Sequence, residues 1–411
     1  MLRAFAVFLS LAGLLFAAFV FVMLVGDSLG FAVSDRLLSS VFPITISTPD
    51  LHKAYMTEKV KILIVPGHDN DYGGGEWRHI RESDLTLEAA RNLEVYFKKD
   101  PRFETITARD TATGKYAPVF QDYFAKHRDD IIVFKNIAIK KMETLKAHNF
   151  LSRNVSIERN SVTSEIAFRL YGINKWANEN DIDIVLHIHF NDYPGHRGRV
   201  GDHTGFSIYV PERQYGNADA SKDLARTLFD TLKNTVGPST LPLERDGIIE
   251  DQELIALGAN GSLKSASVLI EYGYIYEPQY VYAATRAPMM QELAFQTYRA
   301  VKKHFEKNSP SYTITQTALL PHRWSDGLER GLKGSASVLA LQAALKKDGL
   351  YPPPGKSLVD CPLTGSFGAC TELAVRMFQR RHAAEVLGGA EPTGRVGVAT
   401  AKKLNEIFGR P

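Results

Sequence analysis

The sequence contains few cysteines and no excess of charge of either sign. Its 411 residues include 2 cysteines, which excludes a disulfide-built scaffold and a cysteine-rich zinc module. Lysine and arginine together number 49 and the acidic residues 46, a formal net charge of +3. This near balance argues against a dedicated nucleic-acid-binding protein, so we predict no nucleic-acid partner. Any metal site must be built mainly from histidines and carboxylates.

The composition indicates a folded protein with more than one domain. Hydrophobic residues make up 44% of the chain and charged residues 23%, so a sizeable core can be buried. At roughly 150 residues for each domain, the length corresponds to two or three domains.

One long apolar run lies at the N-terminus. Residues Ala4–Val25 contain no charge and are interrupted only by Ser10 and Gly13. Such a run is long enough for a helix to span a bilayer, and Arg3 before it favours a cytoplasmic N-terminus. We predict a transmembrane anchor over residues 1–30 in a single-pass membrane protein whose catalytic part is extracytoplasmic, on the periplasmic or cell-wall side. A long cleaved signal peptide is the alternative, and it also exports the chain.

The two cysteines agree with export. Cys361 and Cys370 flank the short segment CPLTGSFGAC and could form a disulfide in an oxidising compartment. Two free thiols in a small helical domain are the alternative.

Strands and helices alternate over residues 59–306. Strands are predicted at KILIV (61–65), DIDIVLHIHF (181–190), GFSIYV (205–210) and SVLIEYGYI (267–275), with amphipathic helices between them. This pattern predicts an α/β fold with an open, mostly parallel sheet and helices on both faces. The polar and basic region 107–155 is interpreted as an insertion or an elaborated crossover.

The remaining segments are smaller. Residues 31–58 have no strong periodicity and are predicted to be a spacer, and residues 307–330 a linker. Beyond the linker the pattern is purely helical, which predicts a compact all-α bundle over residues 331–411.

Four chemically suited side chains are predicted at one edge of the sheet. His68, His189 and Glu271 stand at or near the carboxyl ends of buried strands, where open α/β sheets bind ligands. Glu82 follows a glycine-rich turn that can bring it back beside His68. Taken singly, each histidine is more typical of a hydrogen-bonded structural residue, and a glutamate opening a helix usually complements its dipole.

Together these residues suit a catalytic zinc ion (Zn²⁺). Two imidazoles and a carboxylate, here His68, His189 and Glu82, form a ligand set that leaves one position for water. A further carboxylate is needed to move the proton of that water, and Glu271 is placed for this role. His187 projects to the same strand face as His189, so it is either structural or the outer partner of a ligand's second ring nitrogen.

The motifs resemble a known family. VPGHDNDYGGGEW, RESDLTLEAARNL, HIHFND, TGFSIYV and SVLIEYGYI are similar, over about residues 60–305, to the zinc-dependent N-acetylmuramoyl-L-alanine amidases of the third amidase family. The resemblance implies that His68, Glu82 and His189 bind zinc and that Glu271 is the catalytic carboxylate. It further implies hydrolysis of the amide between N-acetylmuramic acid and L-alanine of the stem peptide in peptidoglycan.

The sequence departs from this family at particular positions. Asp69 stands where the family usually has a second glycine, and His187 replaces a serine. The stretch between His189 and Glu271 is short for an inhibitory helical insert, so that form of regulation is not predicted. A further partner of the enzyme would be an activator protein, which the sequence does not identify.

The C-terminal part resembles another module. GSASVLALQAALKKDGLY, TGSFGACTELAVRMFQRRH and TGRVGVATAKKL are similar to the peptidoglycan-binding domain found beside many wall hydrolases. The resemblance implies that this part holds the enzyme on the wall, with Cys361 and Cys370 as a local staple. A generic three-helix bundle is the alternative.

Two alternative functions predict other residues at these positions. A zinc carboxypeptidase or other peptidase on a similar sheet would have a ligand glutamate three residues after the first histidine, where Asp71 stands. An inactive wall-binding scaffold would lack a ligand or the catalytic glutamate, whereas all four positions are filled.

Overall fold

A six-stranded, mostly parallel sheet forms the centre of the molecule. The computed structural model describes residues 45–147, 151, 162–193, 199–258, 261–306 and 316–409. The strands are β1 Val60–Pro66, β2 Glu76–Trp77, β3 Ile80–Arg81, β4 Phe103–Thr107, β5 Ile184–Asn191, β6 Ser207–Val210, β7 Ile248–Glu250 and β8 Ala266–Tyr274. Their order in the large sheet is β4-β1-β5-β8-β6-β7, and β2 pairs with β3 as a separate hairpin. Only the β6–β8 pairing of the large sheet is antiparallel, so the predicted α/β class with a mostly parallel sheet is confirmed.

Helices pack on the two faces of this sheet. They are α1 Thr48–Thr57, α2 Glu82–Lys98, α3 Pro118–Lys126, α4 Arg128–Ala147, α5 Ser164–Glu179, α6 Ala218–Leu232, α7 Pro278–Val281, α8 Ala283–Phe305, α9 Ala336–Lys347, α10 Ala369–Arg381, α11 Ala383–Val386 and α12 Val398–Phe408. Ile62 and Ile64 of β1 pack in a cluster with α2, α6 and α8, whereas Leu63 and Val65 pack with α3, α4 and α5. Side chains alternate across a strand, so a continuous apolar run serves both layers.

The region 107–155 belongs to the crossover from β4 to β5. Its helices α3 and α4, followed by α5, cover one face of the sheet, with Phe120 and Ile131 packed against Val185. The crossover interpretation therefore accounts for the described part of this region.

The predicted spacer 31–58 differs from the structure over its second half. Ser47 caps helix α1 and forms a capping box with Asp50, and Leu51 and Tyr55 are buried in the core. The Tyr55 ring stacks on Phe305 with 4.6 Å between ring centroids. Only two buried side chains, one turn apart, anchor this short helix, which leaves too weak a period to detect in the sequence. Residues 31–44 lie outside the described part of the chain.

The predicted single-pass membrane location is corrected by the structure. Within the described ranges, no helix is long and apolar enough to cross a bilayer. The longest of these, α8 with 23 residues and α4 with 20, carry charged side chains along their length. The segment Ala4–Val25, on which the prediction depended, lies outside the described residues.

The C-terminal region is helical, as expected. Val338, Leu341 and Leu345 of α9 form a fully buried stripe. A disulfide joins Cys361 to Cys370, which lies in the first turn of α10.

This helical region is packed against the sheet domain. In the predicted linker 307–330, Leu319 and Trp324 are buried in the same cluster as the sheet residues, so the described part of that segment is not a free connector. The carboxylate of Glu292, on α8, accepts hydrogen bonds from the Thr317 hydroxyl at 2.8 Å and the Ala318 amide at 2.6 Å. A buried acceptor of the first domain thus holds the described part of the linker.

We expect Glu292→Ala to lower the free energy of unfolding by about 1–3 kcal/mol, because it leaves the partly buried donors of Thr317 and Ala318 without this acceptor. Urea unfolding followed by circular dichroism measures the change. The control is Glu329→Ala, which removes an exposed pair with Arg395 and should change the stability by less than about 0.5 kcal/mol. Equal stabilities for the two variants would contradict this account of the contact.

Candidate metal centre at the carboxyl edge of the sheet

The structure brings the three predicted ligands together. Glu82 Oε2 lies 2.9 Å from His68 Nε2, and Glu82 Oε1 lies 3.0 Å from His189 Nδ1. One ligand atom from each of the three residues lies within 4.8 Å of the others. They come from the turn after β1, the first residue of α2 and the end of β5, so three separate segments converge on one point.

The β2–β3 hairpin brings Glu82 back to the histidines. The Glu82 amide donates to the carbonyl oxygen of Gly75 at 2.8 Å, and the Ser83 amide to that of Gly73 at 2.9 Å. These bonds satisfy amides at the start of α2 that have no partner within the helix. They also turn the glutamate side chain toward the end of β1.

The electrostatics of the cluster favour a cation. Burial alone would raise the pKa of Glu82, but its attraction to His68 and its hydrogen bonds to both imidazoles hold the pKa well below the usual range. Burial alone would lower the pKa of His68, yet the charge and hydrogen bond of Glu82 raise it. The buried carboxylate is therefore ionised, and nearby positive charge stabilises it. A metal ion can supply that charge.

Two glycines leave space around these side chains. A Cβ at Gly67 would lie 2.3 Å from Cε1 of His189. Gly74 has a φ of +74°, and a Cβ there would lie 2.5 Å from Oε2 of Glu82 and 2.6 Å from Cδ2 of His68. Two imidazole nitrogens and one carboxylate oxygen, kept clear of other side chains, are a donor set that fits zinc.

The backbone of His68 is strained. Its φ is 60°, a left-handed conformation that costs a residue with a Cβ about 1–2 kcal/mol. Such strain persists only where the surroundings hold it, and it is concentrated at functional sites. The carbonyl oxygen of the preceding Gly67 accepts a hydrogen bond from the buried Thr86 hydroxyl at 2.8 Å.

Glu271 lies beside the cluster without belonging to it. In the sheet it is paired in parallel register with His189, and on its other side with Ser207 of β6. Neighbouring strands are about 4.8 Å apart, and paired residues point to the same face. The carboxylate is thus carried on the same face of the sheet as the histidine, with a side chain that is partly buried.

His187 is placed in the core. It is 1% exposed. Burial together with the charge of His189 lowers its pKa to about 3, although a hydrogen bond with the backbone of Ala256 acts in the opposite direction and raises the pKa. The described contacts of His187 include no hydrogen bond to Glu82, His68 or His189. Its neighbours in the sheet register are Val65 and Leu269, so it is a neutral core residue.

The sequence reasoning missed the residues that hold the turn after His68. Asp69 is buried and pairs with Arg169 of α5, 100 positions further along the chain. The only signal was the aspartate at a position that usually holds glycine. No local pattern marked Arg169, which is one of two basic residues on its helix.

Comparison with family models gives two matches. Residues 62–303 match the model described as N-acetylmuramoyl-L-alanine amidase. Residues 334–404 match the model described as putative peptidoglycan binding domain. No curated protein sequence matches the chain significantly.

Solved structures of amidases are similar to the chain at low identity. An N-acetylmuramoyl-L-alanine amidase from Clostridium difficile 630 is 18% identical, over 61% of this chain and 99% of that one, with a TM-score of 0.38. The CwlD amidase from Clostridioides difficile, in complex with the GerS lipoprotein, is 13% identical over 61% and 100%, with a TM-score of 0.38. The amidase Ami1 from Mycobacterium smegmatis is 13% identical over 61% and 98%, with a TM-score of 0.40. Structural similarity at such low sequence identity and TM-score does not indicate a function.

We expect Gly67→Ala to weaken zinc binding by about tenfold or more, because the added methyl group displaces the His189 ring from its place beside Glu82. Competition with a coloured chelator measures the zinc dissociation constant. The control is Gly368→Ala, where an added Cβ meets no heavy atom within 4 Å. An unchanged dissociation constant for Gly67→Ala would show that the close approach to His189 is not needed for metal binding.

Proposed function

Because its residues 62–303, more than half of the chain, match the N-acetylmuramoyl-L-alanine amidase model, the protein belongs to this amidase family, and we propose that it works with a zinc ion held by His68, Glu82 and His189. Membership makes it a peptidoglycan hydrolase that cleaves the amide between N-acetylmuramic acid and L-alanine of the stem peptide. The observation that supports the metal is the close approach of the three ligand atoms around one point.

The proposed ligands have separate tasks. When bound, zinc supplies a Lewis acid that polarises the scissile carbonyl group and makes a water molecule more acidic. The buried carboxylate of Glu82 balances the charge of the ion, and the two imidazoles contribute neutral nitrogen donors. The glycine cradle of Gly67 and Gly74 keeps other side chains away from the ligand atoms.

Glu271 is the proposed proton carrier. One of its carboxylate oxygens takes the proton of the attacking water as the carbon–oxygen bond forms. The same oxygen then delivers the proton to the nitrogen of L-alanine as the carbon–nitrogen bond breaks, so the products are a carboxylic acid and an amine. Its pairing with His189 in the sheet register supports this role, because the carboxylate lies next to the ligands without being one of them.

The C-terminal region has a proposed part in the same reaction. We place the catalytic domain at residues 59–306 and the peptidoglycan-binding domain at residues 331–411, joined by residues 307–330. The second domain would hold the enzyme on its polymeric substrate and raise the local concentration of scissile bonds. The match of residues 334–404 to a peptidoglycan-binding model supports this assignment. An activator protein stays a prediction.

We expect Glu271→Gln to bind zinc as the wild type does and to release stem peptides about 10²–10⁴-fold more slowly, because the amide cannot accept the proton. Purified peptidoglycan is the substrate, and free N-terminal L-alanine is the readout.

The control for this experiment is His189→Ala, which should lose zinc as well as activity when the metal content is measured by atomic emission. Equal rates for Glu271→Gln and the wild type would end the assignment of Glu271. A wild-type protein that is active without metal would end the assignment of zinc.

We expect the Glu82→Gln protein to sediment with insoluble peptidoglycan as much as the wild type does, because the binding domain does not depend on the metal. The bound fraction in a pull-down by centrifugation measures this. Loss of binding in the variant would place the wall contact in the catalytic site rather than in the C-terminal domain.

A further inference from the structure

The turn that follows the first histidine is held by Asp69 as well as by Glu82. Oδ1 of Asp69 accepts hydrogen bonds from the amides of Asp71 at 2.9 Å and Tyr72 at 2.8 Å. Oδ2 of the same carboxylate accepts from Nη1 of Arg169 at 2.7 Å and from the hydroxyl of Tyr116 at 3.2 Å. One carboxylate thus organises the turn and attaches it to α5 and to the loop after β4.

This attachment is shielded from solvent. Asp69 is 6% exposed, and the side chain of Arg169 is 22% exposed. Ion pairs and hydrogen bonds of low exposure hold their geometry better than surface pairs, which are loosened by water and salt. The carboxylate follows His68 directly in the chain, so any movement of Asp69 moves the strained histidine backbone as well.

A second guanidinium, which is buried, joins the turn to the helix that carries Glu82. Arg109 is 1% exposed. Its Nη2 donates to Oδ1 of Asn70 at 3.1 Å, and its Nη1 donates to the carbonyl oxygen of Ser83 at 3.3 Å. Asn70 lies two residues after His68, and Ser83 directly follows Glu82. One guanidinium group is therefore bonded to the side chain of Asn70, near one proposed ligand, and to the backbone of Ser83, next to another.

We propose that Asp69, through its contacts with Arg169 and Tyr116, is a positioning residue that fixes the His68 imidazole for metal binding. Asp69 is not one of the ligands, and it acts through the backbone of the turn. The proposal rests on the proposed zinc site, and it assigns a role to the position at which this chain departs from glycine.

The chain offers a matched control in Asp100. This carboxylate is also 6% exposed, and it accepts hydrogen bonds from Nζ of Lys302 and the hydroxyl of Tyr298, both at 2.9 Å, and from the amide of Arg102 at 3.1 Å. It precedes β4, at the amino edge of the sheet, whereas His68 follows β1 at the carboxyl edge. A strand of seven residues separates the two edges by roughly 20 Å.

The test compares Asp69→Asn with Asp100→Asn in the full chain. Each substitution removes one buried negative charge from a cation, a tyrosine and either two backbone amides, for Asp69, or one, for Asp100, so both should lower the melting temperature. The zinc dissociation constant, from chelator competition, separates positioning from stability. We expect Asp69→Asn to weaken zinc binding about 10–100-fold, as for outer partners of metal ligands, and Asp100→Asn to leave it within about twofold.

Two further variants keep the test decisive if Asp69→Asn does not fold. Tyr116→Phe removes one hydrogen bond, and Arg169→Lys keeps the charge without the planar guanidinium. Each should weaken zinc binding by a smaller factor than the loss of the carboxylate. Unchanged zinc affinity in Asp69→Asn or in both of these variants, or an equal loss in Asp100→Asn, would overturn the positioning role. Zinc binding by a wild type that releases no stem peptide would contradict the proposed function alone, because the variants are compared by zinc affinity.

Discussion

The carboxylate of Glu82 is the constraint on which the site depends. A buried, ionised carboxylate is very costly unless it is paired, and here both of its oxygens face imidazole rings. The pairing requires β1, β5 and the start of α2 to meet at one edge of the sheet. It also requires the glycine-rich turn and the β2–β3 hairpin to reverse the chain within the short stretch between His68 and Glu82. The local structure around the site follows from these requirements.

The packing of the sheet makes that meeting point reproducible. Helices on both faces bury β1 and β5 almost completely, so their carboxyl ends cannot shift relative to one another without opening the core. The crossover helices α3, α4 and α5 complete one face and also supply Arg169, which reaches the turn after His68. The segment that leads to the helical C-terminal region is held on α8 by the contacts of Glu292.

The parts of the structure that could be predicted are those with a strong local signal. Four strands are recognisable in the sequence as apolar runs, at 61–65, 181–190, 205–210 and 267–275. Three of the proposed site residues, His68, His189 and Glu271, stand at or near the ends of such runs. Helix α1 and the packed part of the linker were missed because each contributes only a few buried side chains. The membrane prediction depended on one apolar run outside the described residues, and the described helices are too charged to span a bilayer.

The sequence by itself determined the fold class, the helical C-terminal region and the residue types of the candidate metal centre, because periodicity and motif order are local properties that short segments carry on their own. Only the tertiary structure decided that His187 is a neutral core residue, that Glu271 lies beside the proposed ligands, and that Asp69 is held by Arg169. Those facts depend on which distant segments share a face or an edge, and the packing of the whole sheet sets that arrangement.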